Sequence, residues 1–297
     1  MHGLFSGVIT DFRRLKSDGI LLMRCKPSTV KKVRSLVADA MESESLTPAQ
    51  AASLRGKLLW TWLYIKVGRS EMRPIAARQY GRDEQKGGSY VGPRFVRCLD
   101  AVSGWLRGRL PDVVLRAYDR DCSPPVVVLS DAMFRPPDIG HGAFVVWVPS
   151  TAGPGGYLAF ADGAASPEVI AAVRKLREQK TLIMPLEAMS MGAPYFCAEI
   201  LGSIEGRDVL HFADNTAANS GVVRGYSAAA DLARIAGAMH DQWSILGIDP
   251  WVEYVSSASN LADLPSRCEY SWLLKHGARR VTWRFPPTEL WEDVVSD

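Results

Sequence analysis

Residues 209–227 read VLHFADNTAANSGVVRGYS, and this stretch constrains the chain more than any other. The apolar run from Val209 to Phe212 has the pattern of a buried strand. It ends on Asp214, and Asn215 follows where a helix can begin. An acid at the carboxyl end of a strand in an α/β pattern stands where open sheets place their ligand sites. Three more acids hold comparable positions. Asp131 ends the strand PVVVLS, Glu187 lies early in the helical run MPLEAMS, and Asp263 lies in NLADLPSR after another strand. The gaps between the four are 56, 27 and 49 residues, too wide for a linear motif, so their meaning depends on the fold.

If the fold gathers these carboxylates, they cannot all ionise unaided, because like charges a few Å apart raise one another's pKa and burial adds to the effect. Divalent cations resolve the conflict. Hard oxygen ligands suit Mg²⁺ or Mn²⁺. Two such ions about 4 Å apart activate a water and stabilise the leaving oxygen in phosphodiester hydrolysis. Each acid also has an ordinary explanation. Asp131 can cap a turn, Glu187 can be a solvated helix residue, Asp214-Asn215 can cap a helix, and Asp263 can cap or begin one.

Charge is divided unevenly. Residues 1–120 carry 22 Lys and Arg against 11 Asp and Glu, and residues 121–297 carry 13 against 21. A basic half joined to an acidic half points to a polyanion held by one and metals held by the other. Chance segregation on two solvated surfaces is the alternative. The five cysteines, Cys25, Cys98, Cys122, Cys197 and Cys268, are scattered, with no CxxC and no Cys/His cluster in the sequence. Neither a zinc site nor a disulfide framework is expected, and the usage fits a reducing, intracellular compartment. No run reaches the roughly 18 apolar residues of a membrane span, and the first ten residues lack a secretion signal.

Residues 3–24 read as a two-stranded hairpin turning at Ser17-Asp18-Gly19. A helix over about 28–44 presents Val30, Val33, Leu36 and Val37 on one face, with Lys31 and Lys32 largely off it. Thr47-Pro48-Ala49-Gln50 is a capping box opening a helix over about 48–66. Gly56 within it implies close packing. A further helical run leads to Tyr80, residues 81–93 form a loop, and 94–109 form a basic helix carrying Arg94, Arg97, Arg107 and Arg109. The region over 26–120 is thus a small basic helical body. Either it clamps nucleic acid, with Lys31, Lys32, Arg55, Arg94 and Arg97 meeting phosphates, or it is a helical subdomain with a solvated basic face.

From residue 122 the pattern changes. Strands are expected over 124–132, 140–148, 156–162, 207–214 and 249–257. Helices are expected within 166–180 and over 184–204, 215–223, 228–246 and 260–276. That order gives an α/β class domain (α+β mixed sheet) of five strands with flanking helices over 121–276, followed by a tail, 277–297, that packs on the surface or binds a partner. The histidines His2, His141, His211, His240 and His276 are dispersed and none has a nucleophile setting. His141 reads as a strand-edge residue and His211 as a packed core histidine.

At these residues a resemblance appears. FADNTAANSGVVRGYS, the helix after it and LGIDPWVEYVSSASNLADLPSR resemble the RNase H domain of retroelement reverse transcriptases, DIRS-like ones most of all. LSDA and MPLEAMS match that domain's first strand and first helix. LTPAQAASLRGKLLW resembles the segment linking polymerase to RNase H, and KPSTVKKV with the hairpin before it resembles the end of the palm and start of the thumb. The resemblance implies an RNase H-like five-stranded mixed sheet and an endonuclease that cuts the RNA strand of an RNA–DNA hybrid with two Mg²⁺ or Mn²⁺ ions. It implies that Asp131 bridges both ions, that Asp263 serves the water-activating ion, and that Glu187 and Asp214 serve the ion at the leaving oxygen. Asn215 would support substrate contact. A YxDD-type polymerase motif is absent, so a polymerase domain is expected on another chain or upstream. The loop before Asp263 is SSASN, where many cellular RNases H carry a histidine. A non-catalytic nucleic-acid-binding connection module, and a different nuclease or integrase-like enzyme on the same fold, are the alternative functions.

Overall fold

The structure, a computed structural model, describes residues 2–5, 8–13, 20–62, 73–81, 88–107, 113–116, 124–176, 182–225, 227, 229–248 and 250–291. The chain separates into two compact units, Met1–Cys122 and Ser123–Asp297.

The first unit holds a four-stranded antiparallel sheet in the order β1 (His2–Phe5), β2 (Val8–Asp11), β3 (Ile20–Cys25) and β4 (Val113–Arg116). This corrects the expected hairpin. The described residues among the first 25 form three strands, because Leu4-Phe5 pairs with Val8-Ile9 before the chain reaches β3. The fourth strand comes from within the stretch expected to be helical only. The turn at Ser17-Asp18-Gly19 lies outside the described residues. Among the described residues four helices follow β3: α1 (Pro27–Glu42), α2 (Pro48–Trp62), α3 (Arg73–Gln79) and α4 (Pro93–Arg107). Val33, Val37, Leu54, Leu58, Ile75, Leu99 and Val102 form their shared core. The capping box is present: Thr47 N–H donates to Gln50 Oε1 (2.8 Å) and Gln50 N–H to Thr47 Oγ1 (3.3 Å). Gly56 differs from expectation. It is exposed, and an added Cβ would meet open space. Arg78, nearly buried, donates to the carbonyls of Leu46 and Tyr90 (both 2.7 Å) and lies over the Phe95 ring. It is a structural cation.

The second unit is a mixed α/β layer built on one six-stranded sheet. Its strands β5 (Val126–Arg135), β6 (Ile139–Pro149), β7 (Gly156–Ala164), β8 (Val209–Ala213) and β9 (Trp251–Tyr254) include all five expected ones, ordered β7-β6-β5-β8-β9. β5, β6 and β7 run antiparallel in sequence, while β8 and β9 run parallel to β5. The helices are α5 (Pro167–Leu176), α6 (Ile183–Gly192), α7 (Ala198–Ile204), α8 (Thr216–Arg224), α9 (Ala230–Ile245), and two short ones, α10 (Asp263–Ser266) and α11 (Ser271–Lys275). The helix expected over 184–204 is broken into α6, a 3₁₀ turn at Ala193–Phe196 and α7. Pro194 has no N–H to continue the ladder. The single helix expected over 260–276 is likewise two short pieces, with Pro265 inside the first and Cys268 at φ 63 between them.

Alternation along β5 gives the sheet two packed faces. Val126, Val128, Phe144, Val146 and Ala161 meet Leu186, Met189, Ile235 and Met239 of the helices. Leu129, Val145 and Phe160 meet Ala262, Leu273 and Ala278.

The last residues differ most from expectation. Residues 277–291 are not a surface tail, and the rest of that stretch, 292–297, lies outside the described residues. Arg279–Arg280 forms β10, parallel to β7 as a sixth strand, and Val281 and Trp291 are buried in the main core. Gly142 and Gly163 stand opposite each other in β6 and β7. A Cβ on either would collide with the Trp283 indole, so the two glycines leave the slot in which this ring lies. No helix among the described residues is long and apolar enough to cross a membrane.

Candidate metal centre

The sheet register builds the site. Ser130 of β5 pairs with Ala213 of β8, so Asp131 and Asp214 each stand one residue beyond the last parallel pair. Glu187 reaches them from α6. Every residue from Pro185 to Gly192 is buried, because this helix is apolar on all sides. The reading of Glu187 as a solvated helix residue is thereby overturned: it is 5% exposed. One carboxylate oxygen from each of Asp131, Glu187 and Asp214 lies within 4.8 Å of the others. Residues up to 83 positions apart in sequence thus bring their carboxylates together where β5 runs on beyond its pairing with β8.

The local electrostatics are adverse. Burial pushes the Asp131 carboxyl up to about 6; Asp214 and Asp263 push the same way, and Ser266 and Arg267 oppose them. Burial, then Asp131 and Asp214, push Glu187 up to about 9 against the hydrogen bond from the Ala132 backbone. Glu187 Oε2 is buried and has no hydrogen-bond partner among the described residues. An unpaired buried carboxylate oxygen costs several kcal/mol unless something neutralises it. The donor set is all oxygen, which fits a hard divalent cation.

Asp263 is placed differently. It starts α10, and Arg267 holds its Oδ1 (Nε 2.9 Å, Nη2 2.7 Å). It is close enough to raise Asp131 but does not join the three-carboxylate group. Its loop is nonetheless tied to the site, since Asn260, buried, donates Nδ2 to the Ser130 carbonyl (2.9 Å). Asn215 caps α8, accepting Ala218 N–H on Oδ1 (3.0 Å).

Two serines that sequence reasoning missed hold the acids. Ser266, fully buried, donates to Asp131 Oδ2 (2.5 Å), and Ser257 donates to Asp214 Oδ2 (2.5 Å). Both lie in SSASNLADLPS; small hydroxyl residues flanking a candidate ligand were the available signal. His211 is a packed core histidine, as expected. Ser130 Oγ and Tyr195 Oη sit 2.9 and 2.8 Å from its two ring nitrogens, and burial lowers its pKa to about 3.

His141 is not merely a strand-edge residue. Its Nε2 is 3.0 Å from Asp162 Oδ2 and 3.9 Å from Cys268 Sγ. Asp162, buried, also accepts from Tyr270 Oη on Oδ2 (2.9 Å) and from Arg280 on Oδ1 (2.8 Å). Burial alone would raise this carboxyl; the hydrogen bonds of His141 and Tyr270 and the charge of Arg280 hold it below the usual carboxylate range. The absence of any Cys/His cluster in the linear sequence therefore did not carry over to space. His141 and Cys268 are 127 residues apart and come together only through β6 and the loop after α10.

The basic residues are spread. Lys31 and Lys32 are exposed on α1, and Arg97 is exposed on α4. Arg94 is also on α4, with its side chain outside the described residues. Arg55 departs from expectation. Half-buried, it donates to Gln79 Oε1 and Tyr80 Oη (both 3.1 Å) and lies over the Tyr80 ring, so its fork is engaged internally. Arg109 lies outside the described residues.

No family model and no curated protein matches the chain. Solved structures of low identity do. RNase H1 from the halophilic archaeon Halobacterium salinarum matches at 16% identity and a TM-score of 0.33, covering 47% of this chain and 92% of that one. The N-terminal RNase H domain of a Mycobacterium tuberculosis protein, solved as a fusion with maltose-binding protein, matches at 15% identity and 0.31, covering 52% and 100%.

Proposed function

We propose that the second unit is a metal-dependent endonuclease that hydrolyses the RNA strand of RNA–DNA hybrids. The observation that carries this reading is the convergence of Asp131, Glu187 and Asp214, with Glu187 Oε2 buried and unpartnered. Two Mg²⁺ or Mn²⁺ ions bound there would activate the attacking water and stabilise the leaving oxygen. The chain's own residues prepare the site. Ser266 and Ser257 fix one oxygen each of Asp131 and Asp214, leaving the other free to ligate, as outer partners of metal-bound carboxylates do. Glu187, a member of the cluster, would meet the ribose 2′-hydroxyl that distinguishes RNA from DNA. Asp263, once released by Arg267, would serve as the fourth ligand.

The likeness to retroelement reverse transcriptases supports a wider context. In it, residues 1–25 are the end of a palm, 26–120 a thumb and connection region, and 121–276 the nuclease, working with a polymerase domain upstream or on another chain. Lys31, Lys32 and Arg97 would meet backbone phosphates of the duplex. One observation favours a second reading, a binding module without turnover: Asp263 is committed to Arg267 rather than to the acids.

Hydrolysis of an end-labelled hybrid in Mg²⁺ or Mn²⁺ decides between them. Asp131→Asn and Asp214→Asn are each expected to lower cleavage about 1000-fold or more while hybrid binding persists. Variants that cut as well as the wild type would refute the nuclease; hybrid binding without turnover in the wild type would establish the binding module.

A further inference from the structure

The His141–Asp162–Cys268 cluster lies apart from the three acids. Asp131, Ala143 and Asp162 are directly opposite one another in β5, β6 and β7, so the two aspartates point from the same sheet face two strands apart. At about 4.8 Å per strand, that is roughly 10 Å. The cluster is softer than the acid site, because it sets an imidazole and a thiol beside its one carboxylate. We propose that His141 Nε2, Asp162 Oδ2 and Cys268 Sγ bind a zinc ion that pins the segment after Asp263 to strands β6 and β7.

The geometry separates a metal site from a nucleophilic triad. In a Cys-His-Asp triad the thiol and the carboxylate address different ring nitrogens. Here both face the same nitrogen, Nε2, at 3.9 and 3.0 Å, and all three ligand atoms lie within 4.8 Å of one another. Bonds of about 2.0–2.3 Å in a tetrahedron put neighbouring ligands about 3.3–3.8 Å apart, a span these separations bracket. The outer partners a metal site needs are in place. Tyr270 donates to the ligating Oδ2 and Arg280 to Oδ1, fixing the Asp162 carboxylate. Each carboxylate oxygen has a second lone pair, so Tyr270 can stay while the metal replaces the histidine proton. The fourth position falls to water.

Cys268 is exposed and sits in the left-handed region (φ 63), two residues after the serine that holds Asp131. A metal bond to its sulfur would fix the loop carrying Ser266, Arg267 and Asp263. Zinc here would support the acid site without taking part in its chemistry.

The test is zinc retention by the purified full chain after dialysis against trace metal, with Co²⁺ as a spectroscopic substitute. The expected result is one equivalent of zinc in the wild type and in Asp131→Asn. Cys268→Ser and His141→Gln are expected to lose that equivalent, and Tyr270→Phe to bind about tenfold more weakly. Bound Co²⁺ should show a thiolate charge-transfer band that Cys268→Ser abolishes, while unchanged near-ultraviolet circular dichroism confirms that the variant is folded. Three results would each overturn the proposal: no zinc retained by the wild type, equal retention in Cys268→Ser, or loss on Asp131→Asn alone, which would place the ion at the acids.

Discussion

Asp131 and Asp162 occupy the same row of one sheet, both nearly buried, yet meet opposite electrostatic fates. Asp162 has three donors, His141, Tyr270 and Arg280, and is held ionised. Asp131 has one serine, and faces Glu187, Asp214 and Asp263. Without metal, the fold therefore stabilises the charge on one carboxylate and opposes it on the other. A buried acid with its partners built in is structural by default; a buried acid surrounded by other acids implies a cation.

The largest expected effect breaks the satisfied member. Asp162→Asn leaves Arg280 and Tyr270 facing an amide and removes the partner of His141. Because Arg280 is 54% exposed, the loss is set at about 2 kcal/mol rather than at the higher figure for a fully buried pair. Denaturant unfolding in the presence of a chelator measures it. Asn for Asp at 131 should instead leave the metal-free protein as stable as before or more so above pH 6. If both substitutions destabilise alike, the contrast is wrong.

A second effect is the sign of the pH dependence of metal-free stability. Asp131 is raised from 3.8 to about 6 and Glu187 from 4.5 to about 9. Their folded states prefer the proton, so the stability they contribute is full below pH 4 and is lost as pH rises through 6 and towards 9. Asp162, lowered from 3.8, works the other way and loses its contribution only as pH falls below that value. Melting temperature in chelator should therefore fall between pH 5 and 9, and Mg²⁺ should abolish the decline, since the ion replaces the protons. A flat metal-free profile over that window would show that folding does not raise these two carboxyls. Smaller again is Ser266→Ala. Removing the hydroxyl that lowers Asp131 should raise that carboxyl further and move the pH profile of hybrid cleavage upward, with a loss of about tenfold near neutral pH. An unshifted profile with lower activity would mark Ser266 as a packing residue only.

How much of this could be read from the sequence follows from the range of each interaction. The five central strands were legible because apolar runs such as VVVLS and VLHFA carry their own signal; Asp214 does follow its strand, whereas Asp131, expected to end one, lies within β5, which continues to Arg135 because β6 still pairs with it. Thr47-Pro48-Ala49-Gln50 was legible because a local pattern enforces a local structure. Glu187 was named from its place early in the run MPLEAMS, but its burial was not legible, since nothing local tells a buried glutamate from a solvated one. The His141–Cys268 encounter and the slot that Gly142 and Gly163 leave for Trp283 depend on register between strands and on where a tail returns, which no window of sequence contains. Pro194 and Pro265 were visible, but helical periodicity around them outweighed the breaks they impose.

The smallest effect sharpens the place of Asp263. Its pair with Arg267 spans one turn at the surface, with the arginine side chain 59% exposed, so Arg267→Ala should change stability by less than about 0.5 kcal/mol. The substitution acts in two directions on metal binding. It removes a cation that lowers Asp131, which weakens ligation by raising that group, and it frees Asp263, which strengthens ligation if this residue is the fourth ligand. Calorimetric titration with Mn²⁺ at pH 8, where Asp131 is ionised in either case, isolates the second term. A two- to threefold tighter affinity, about 0.5 kcal/mol, places Asp263 in the metal shell and puts the site on the unsatisfied side of the comparison with four acids. Unchanged affinity leaves Asp263 as the first residue of α10 and the site with three.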